Sequence, residues 1–262
     1  MSRFPTLFAT IILLLGGCAS MEQNSRQRQV ASVLSYLYPE TGNVPTAPES
    51  TAELHVPFRI GVAFVPDNTP PQFRLPESDR LKLSEKVRAA FTGYPFVREI
   101  VAVPSVYLEA GGGFSNLDRI ARLLKLDVIA LISFDQVQNA GATGSSFLYW
   151  TGIGAYVVQG DQYDILTAVE TSVFDIKSRR LLLRAGGVSN IKGSATMVGF
   201  SELAREARTR GFDEAMTEMI GKLQAEVKTF REQAPKDPSM RLILPPGYDP
   251  NAPRTAPSPE LK

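Results

Sequence analysis

The 262 residues hold one cysteine, one histidine and one tryptophan, and each scarcity excludes something. A lone Cys18 allows no internal disulfide, so stability has to come from a packed core. A hydrophobic content of 44% makes such a core feasible at this length. With His55 as the only histidine, a Ser-His-Asp site or a His-bearing metal site would rest on that residue alone. Long apolar runs are missing too. Pro5 to Leu15 is the longest, and it falls short of the roughly 20 residues that cross a bilayer as a helix. Neither sign of charge dominates, with 28 basic against 27 acidic residues. Lys and Arg are dispersed among acids and do not form the basic face that a nucleic acid requires.

What is present is a leader. Arg3 precedes the apolar run, and the run ends in Leu15, Gly16, Gly17 and Cys18, small residues of the kind that mark a cleavage site. Residues 1–17 therefore read as a signal peptide. Their removal takes Arg3 and leaves 27 basic against 27 acidic residues. The Leu-Gly-Gly-Cys pattern resembles the bacterial lipobox. That resemblance implies a diacylglycerylated Cys18 thiol, cleavage just before it and acylation of the new amine. Each acyl chain adds about 0.8 kcal/mol of membrane affinity per buried CH₂. Ala19, standing where Asp would imply inner-membrane retention, points to the outer membrane.

Residues 18–55 read as a lipidated tether. Met21 to Gln29 is polar, whereas Val30, Val33, Leu34 and Leu37 fall at helical spacing before Tyr38 and Pro39, which predicts a short amphipathic helix. Glu40 to Glu53, rich in Pro, Thr, Gly and Ser, reads as a linker. Residues 56–233 carry the folded domain. Phe58 to Val65 is a β-rich run stopped by Pro66; Ser78 is placed to cap a helix over Asp79 to Thr92; Val97 to Val103 is a second strand. Ser115 with Asp118 resembles a capping box for a helix ending near Lys125, and Asp127 to Phe134 is the third strand. Tyr163 to Asp175 and Arg180 to Ile191 follow as a hairpin turning at Lys177, Ser178 and Arg179. Ser201 to Gln233 is the clearest helix, with Phe212, Met216, Met219, Ile220, Leu223, Val227 and Phe230 on one stripe. Glu206 with Arg210 and Glu218 with Lys222 form i,i+4 pairs on its other side. Residues 234–262 are rich in proline and read as a disordered tail. The fold class is α/β (α+β): one domain of order βαβαβββα, a mixed sheet with helices packed on it, between disordered tethers.

This order is similar in topology to the periplasmic domains of the curli secretion lipoprotein and of lipoprotein activators of peptidoglycan synthases, and to the N-terminal domain of the Tol-system translocation protein. A closer resemblance rests on the lipobox, on Ser32-Val33-Leu34-Ser35-Tyr36-Leu37-Tyr38-Pro39 and on Tyr149-Trp150-Thr151-Gly152-Ile153-Gly154-Ala155-Tyr156. These motifs resemble the rhombotarget lipoproteins of bacteria that carry the rhomboid-type protease rhombosortase. The resemblance implies a cell-envelope lipoprotein of unassigned activity. Rhombosortase substrates end in a Gly-rich motif, a membrane helix and basic residues, whereas this sequence ends Ser258-Pro259-Glu260-Leu261-Lys262, so cleavage by that enzyme does not follow.

No catalytic set emerges. His55 lies at the linker edge. Gly111 to Gly113 could cradle a phosphate before a helix, but no Walker lysine follows and a loop hinge fits better. Asp161 and Asp164 could pair as carboxylates or bind Ca²⁺, or serve as solvated turn residues. Neither a cofactor nor a metal is implied. Phe147 to Val158 contains Phe147, Tyr149, Trp150 and Tyr156 and no charge. Three readings fit it: a Gly-bent strand or loop packed on the sheet, an aromatic patch that docks a protein partner, or a membrane contact, since about 9 to 11 residues suffice for a tilted barrel strand. The chain is thus expected to be a non-enzymatic outer-membrane lipoprotein, facing the periplasm, that binds another envelope protein. A secretion-pore subunit like the curli lipoprotein is the alternative, and a hydrolase of envelope glycan or peptide a distant third. Oligomeric state is left open.

Overall fold

The computed structural model describes residues 25–39, 51–70, 74–142, 161–196 and 198–249. In chain order the elements are β1 (Ser25–Ala31), α1 (Val33–Leu37), β2 (Ala52–His55), β3 (Phe58–Phe64), α2 (Glu77–Phe91), β4 (Val97–Ala102), α3 (Gly113–Leu124), β5 (Val128–Ala142), β6 (Asp161–Asp175), β7 (Leu181–Ala195), α4 (Phe200–Gln233) and β8 (Met240–Ile243). From β3 to α4 the order is βαβαβββα, and the sheet is mixed, as expected.

The apolar runs make the centre. β3 lies parallel to both β4 and β5, with Ile60 opposite Val128 and Val62 opposite Ala130. Both faces of this region are covered, which is why β3 and the first half of β5 are apolar without alternation. The sheet order is β4-β3-β5-β6-β7, with β1 against β5. β3 pairs residues 128–132 of β5 and β1 pairs residues 134–140, while β6 runs antiparallel along the whole of β5. One face carries α2 and α4. The α4 stripe buries Phe212, Met216, Met219, Leu223 and Val227, with Ile220 and Phe230 half-buried. The other face carries α3, whose Phe114 meets Phe174 of β6 edge to face at 6.2 Å. Glycine sets how closely α4 approaches. A Cβ on Gly211 would stand 2.6 Å from Thr167 Oγ1, so the helix settles on a polar row in which Gln136 faces Thr167 and Thr167 faces Ser189.

Several boundaries differ from the sequence reading. The polar stretch read as tether contains β1, whose Gln29 is buried. Its polarity matches the Gln136 and Gln138 it lies beside, and Arg28 grips Asp135 through Nε at 2.9 Å. The amphipathic helix shrinks to α1, because Val30 belongs to β1. The end of the linker and the start of the tail are also ordered. β2 pairs in parallel with β8, Leu54 opposite Leu242 and His55 opposite Ile243. Arg180 holds the approach to β8 through Ser239 O at 3.0 Å and Asp237 at 2.9 Å. α2 starts at Glu77 behind Pro76 with no side-chain cap, so Ser78 is not its cap. The Ser115 and Asp118 capping box does not form either. α3 begins at Gly113, and Ser115 Oγ donates to Gly112 O within the first turn. β5 continues eight residues past Phe134 to Ala142 because β1 and β6 supply partners for its polar second half. Arg210 pairs forward with Glu214 at 3.8 Å, while Glu218 and Lys222 meet as expected at 2.6 Å.

Candidate functional site

Strand register brings three parts of the chain to one end of the sheet. Ser25 lies opposite Ala140, and Ala142 opposite Asp161, which in turn faces Ala195. The chain coming from Cys18 therefore joins the sheet where residues 143–160 leave β5 and return to β6. The lipobox residues Leu15, Gly16, Gly17 and Cys18, and the aromatic residues Phe147, Tyr149, Trp150 and Tyr156, lie outside the described residues. Cys18 precedes Ser25 by seven residues, an extended reach of about 24 Å.

Two features singled out in the sequence meet each other. The Ser32 to Pro39 motif folds as α1, with Ser32 Oγ accepting from Ser35 N at 3.4 Å. It docks on the Gly111 to Gly113 turn and α3. Tyr36 OH donates to Asn116 Oδ1 at 2.7 Å, and Tyr38 meets Phe114 edge to face at 5.8 Å. Gly113 has a φ of +59°, and a Cβ there would lie 3.2 Å from Leu37 O. A side chain would be strained and crowded at once. Gly111, 3.3 Å from Pro39 by the same measure, and Gly113 thus serve the packing of α1 and its flank. Burial, with the nearby Glu109 charge, pushes the Tyr36 hydroxyl well above its ordinary pKa.

The remaining sequence candidates do not converge. His55 is exposed on β2. Asp161 and Asp164 are three residues apart on β6, so they point to opposite faces, and Asp164 sits 3.4 Å from Lys192. Among the described residues no cluster of three or more His, Cys, Asp or Glu could hold a metal ion, and no helix is long and apolar enough to cross a membrane.

Sequence reasoning missed a cavity of about 220 Å³ at the end of the sheet opposite Ser25. Its floor includes Ile60 of β3 and Ala130 of β5, and its walls include Val87 of α2 and Leu223 of α4. Arg231 and Tyr248 also line it, both half-buried where it opens beyond β8. It exceeds the roughly 150 Å³ apolar cavity that stays dry and admits benzene. Burial raises the Tyr248 hydroxyl, and the Arg231 charge pulls it back. The overlooked signal was Leu242, Leu244 and Tyr248, apolar residues inside a stretch dominated by proline.

No family model matches the chain, and no curated protein matches it. Among solved structures, a neuraminyllactose-binding hemagglutinin homolog from Helicobacter pylori is 9% identical, with 72% of this chain and 97% of that one covered at a TM-score of 0.38. A PelC dodecamer from Paraburkholderia phytofirmans is 9% identical, with 73% and 98% covered at a TM-score of 0.24.

Proposed function

We propose that this chain is a lipoprotein of the bacterial outer membrane, facing the periplasm, anchored through acyl chains on Cys18 and acting without catalysis as an accessory that binds another envelope protein. The observation that carries the reading is the shared sheet end: Ser25 opposite Ala140, and Ala142 opposite Asp161. An anchored chain would hold both ends of the uncharged aromatic segment near the membrane that anchors it, where envelope partners are met. Trp and Tyr are the residue types that most often anchor such contacts. A photo-crosslinking residue at Tyr149 in living cells, with and without Trp150→Ala plus Tyr156→Ala, tests it. The expected result is a discrete crosslinked partner that the double substitution removes. Crosslinks unchanged by the substitution would defeat the proposal.

One observation favours a second reading. β5 and β6 are each 15 residues long and deliver residues 143–160 to that same end, as a subunit presenting membrane hairpins from a ring would require. The mass of the detergent-extracted lipoprotein by light scattering separates the two. A ring of many subunits supports a pore, and a monomer or dimer supports the accessory.

A further inference from the structure

We infer that the cavity between α2 and α4 binds a single-chain amphiphile with an anionic head, its tail lying along Ile60 and Ala130 and its head at Arg231.

The lining suits an alkyl chain. The floor follows β3 from Phe58 to Val62, about 13 Å, and the wall follows α4 from Leu223 to Arg231, about 12 Å. A volume of about 220 Å³ between these two apolar rows has room for an alkyl chain. The lining is apolar apart from the mouth, so nothing inside would satisfy a polar tail.

The mouth selects the head. Arg231 is half-buried and forms no ion pair among the described residues. Beside it, Tyr248 feels two charges, and that of Arg231 outweighs that of Asp249. A guanidinium and a phenol at the rim of an apolar slot suit a carboxylate or phosphate, which the guanidinium can hold with paired N–H donors. Free fatty acid and lysophospholipid share this chemistry.

The occupant proposed is a second molecule: β1 brings the chain from Cys18 onto the sheet opposite Ala140, about 33 Å along β5 from Ala130, and the chain's own acyl groups are the competing occupant that the test separates.

The test uses the full chain carrying Cys18→Ser, titrated with 11-(dansylamino)undecanoic acid and then displaced by laurate, by lysophosphatidylglycerol or by dodecanol. One saturable site is expected, displaced by at least one of the two anionic amphiphiles; which of them displaces identifies the source. Ala130→Phe, which puts a ring on the cavity floor, is expected to weaken the probe about tenfold or more. Arg231→Glu, at the half-exposed rim, is expected to weaken laurate or the lysolipid about fivefold while leaving dodecanol unchanged. The inference fails if the Cys18→Ser chain shows no saturable site or if folded Ala130→Phe binds the probe equally well. It also fails if Arg231→Glu weakens dodecanol as much as laurate. Should Ala130→Phe not fold, the Arg231→Glu comparison decides alone. If the lipidated chain excludes the probe that the Cys18→Ser chain accepts, the occupant is the chain's own anchor and the inference is wrong.

Discussion

The hydroxyl of Tyr36 donates to Asn116 Oδ1 at 2.7 Å, and the same oxygen accepts from Glu109 N at 3.1 Å while Asn116 Nδ2 donates to Tyr107 O at 3.1 Å. One buried amide therefore joins α1, the turn before α3, and α3 itself. Tyr36→Phe keeps the ring and one of the two bonds to Oδ1, so the expected loss is about 1 kcal/mol. Asn116→Ala strands three partners and should cost about 3 kcal/mol. The double substitution should cost less than the sum, because the shared bond is lost only once. Urea unfolding of the four proteins checks all three values. Additive losses would mean that the two groups do not act together.

Gly187 of β7 lies against the backbone of α4, where an added Cβ would stand 2.1 Å from Ala215 O and 2.5 Å from Met219 N. Neither atom can swing aside as a side-chain tip could, so Gly187→Ala has to lift the helix. The expected cost is about 3 kcal/mol. Gly221 on the exposed side of α4 has nothing within 4 Å of an added Cβ, and Gly221→Ala should stabilise by about 0.5–1 kcal/mol. Thermal unfolding gives both numbers. A neutral Gly187→Ala would place the helix farther from the sheet than described.

Asp67 supplies a pH dependence. Its carboxylate takes Thr69 N at 2.9 Å and pairs with Arg80, and both side chains are almost wholly enclosed. Burial pushes the carboxyl up, but the bonds from Thr69 and Arg80 outweigh it and hold it below its ordinary 3.8. A group depressed on folding stabilises the fold above its unfolded pKa and loses that contribution as pH falls through the folded value. Wild-type stability should therefore drop on acidification below about pH 4, and Asp67→Asn should flatten that part of the curve. At neutral pH the substitution leaves Arg80 buried without its partner, at a cost of about 3–5 kcal/mol. Urea midpoints from neutral pH downward test both statements; equal acid slopes would remove Asp67 as the cause.

The elements legible in the sequence are those whose own residues dictate them. Phe58 to Phe64 is apolar but for Arg59, the hairpin of β6 and β7 is bounded by polar turn residues, and the α4 stripe from Phe212 to Phe230 repeats through about five turns of helix. The elements that escaped notice owe their form to distant partners. Ala52 to His55 becomes a strand only because Met240 to Ile243 lies beside it, and Ser25 to Ala31 only because the polar half of β5 does. Helix starts were misplaced where backbone geometry replaced a side-chain cap, as at Pro76 and Gly112. The cavity arises from the spacing of α2 and α4 above Ala130, and its one trace in the sequence was the apolar set Leu242, Leu244 and Tyr248. The convergence of Ser25, Ala142 and Asp161 needed the register of β1, a strand the composition had hidden.

The pairing of β1 with β5 has a mechanical consequence. A domain drawn away from an anchor at Cys18 would pull β1 along its own axis, with Ser25 leading and Ala31 held by the docked α1. Force in that direction loads the rungs from Ser25 opposite Ala140 to Ala31 opposite Phe134 together, in shear. Unzipping would break them one at a time. In an anchored chain the short polar strand would work as a strain relief, sharing the tension among its rungs to β5.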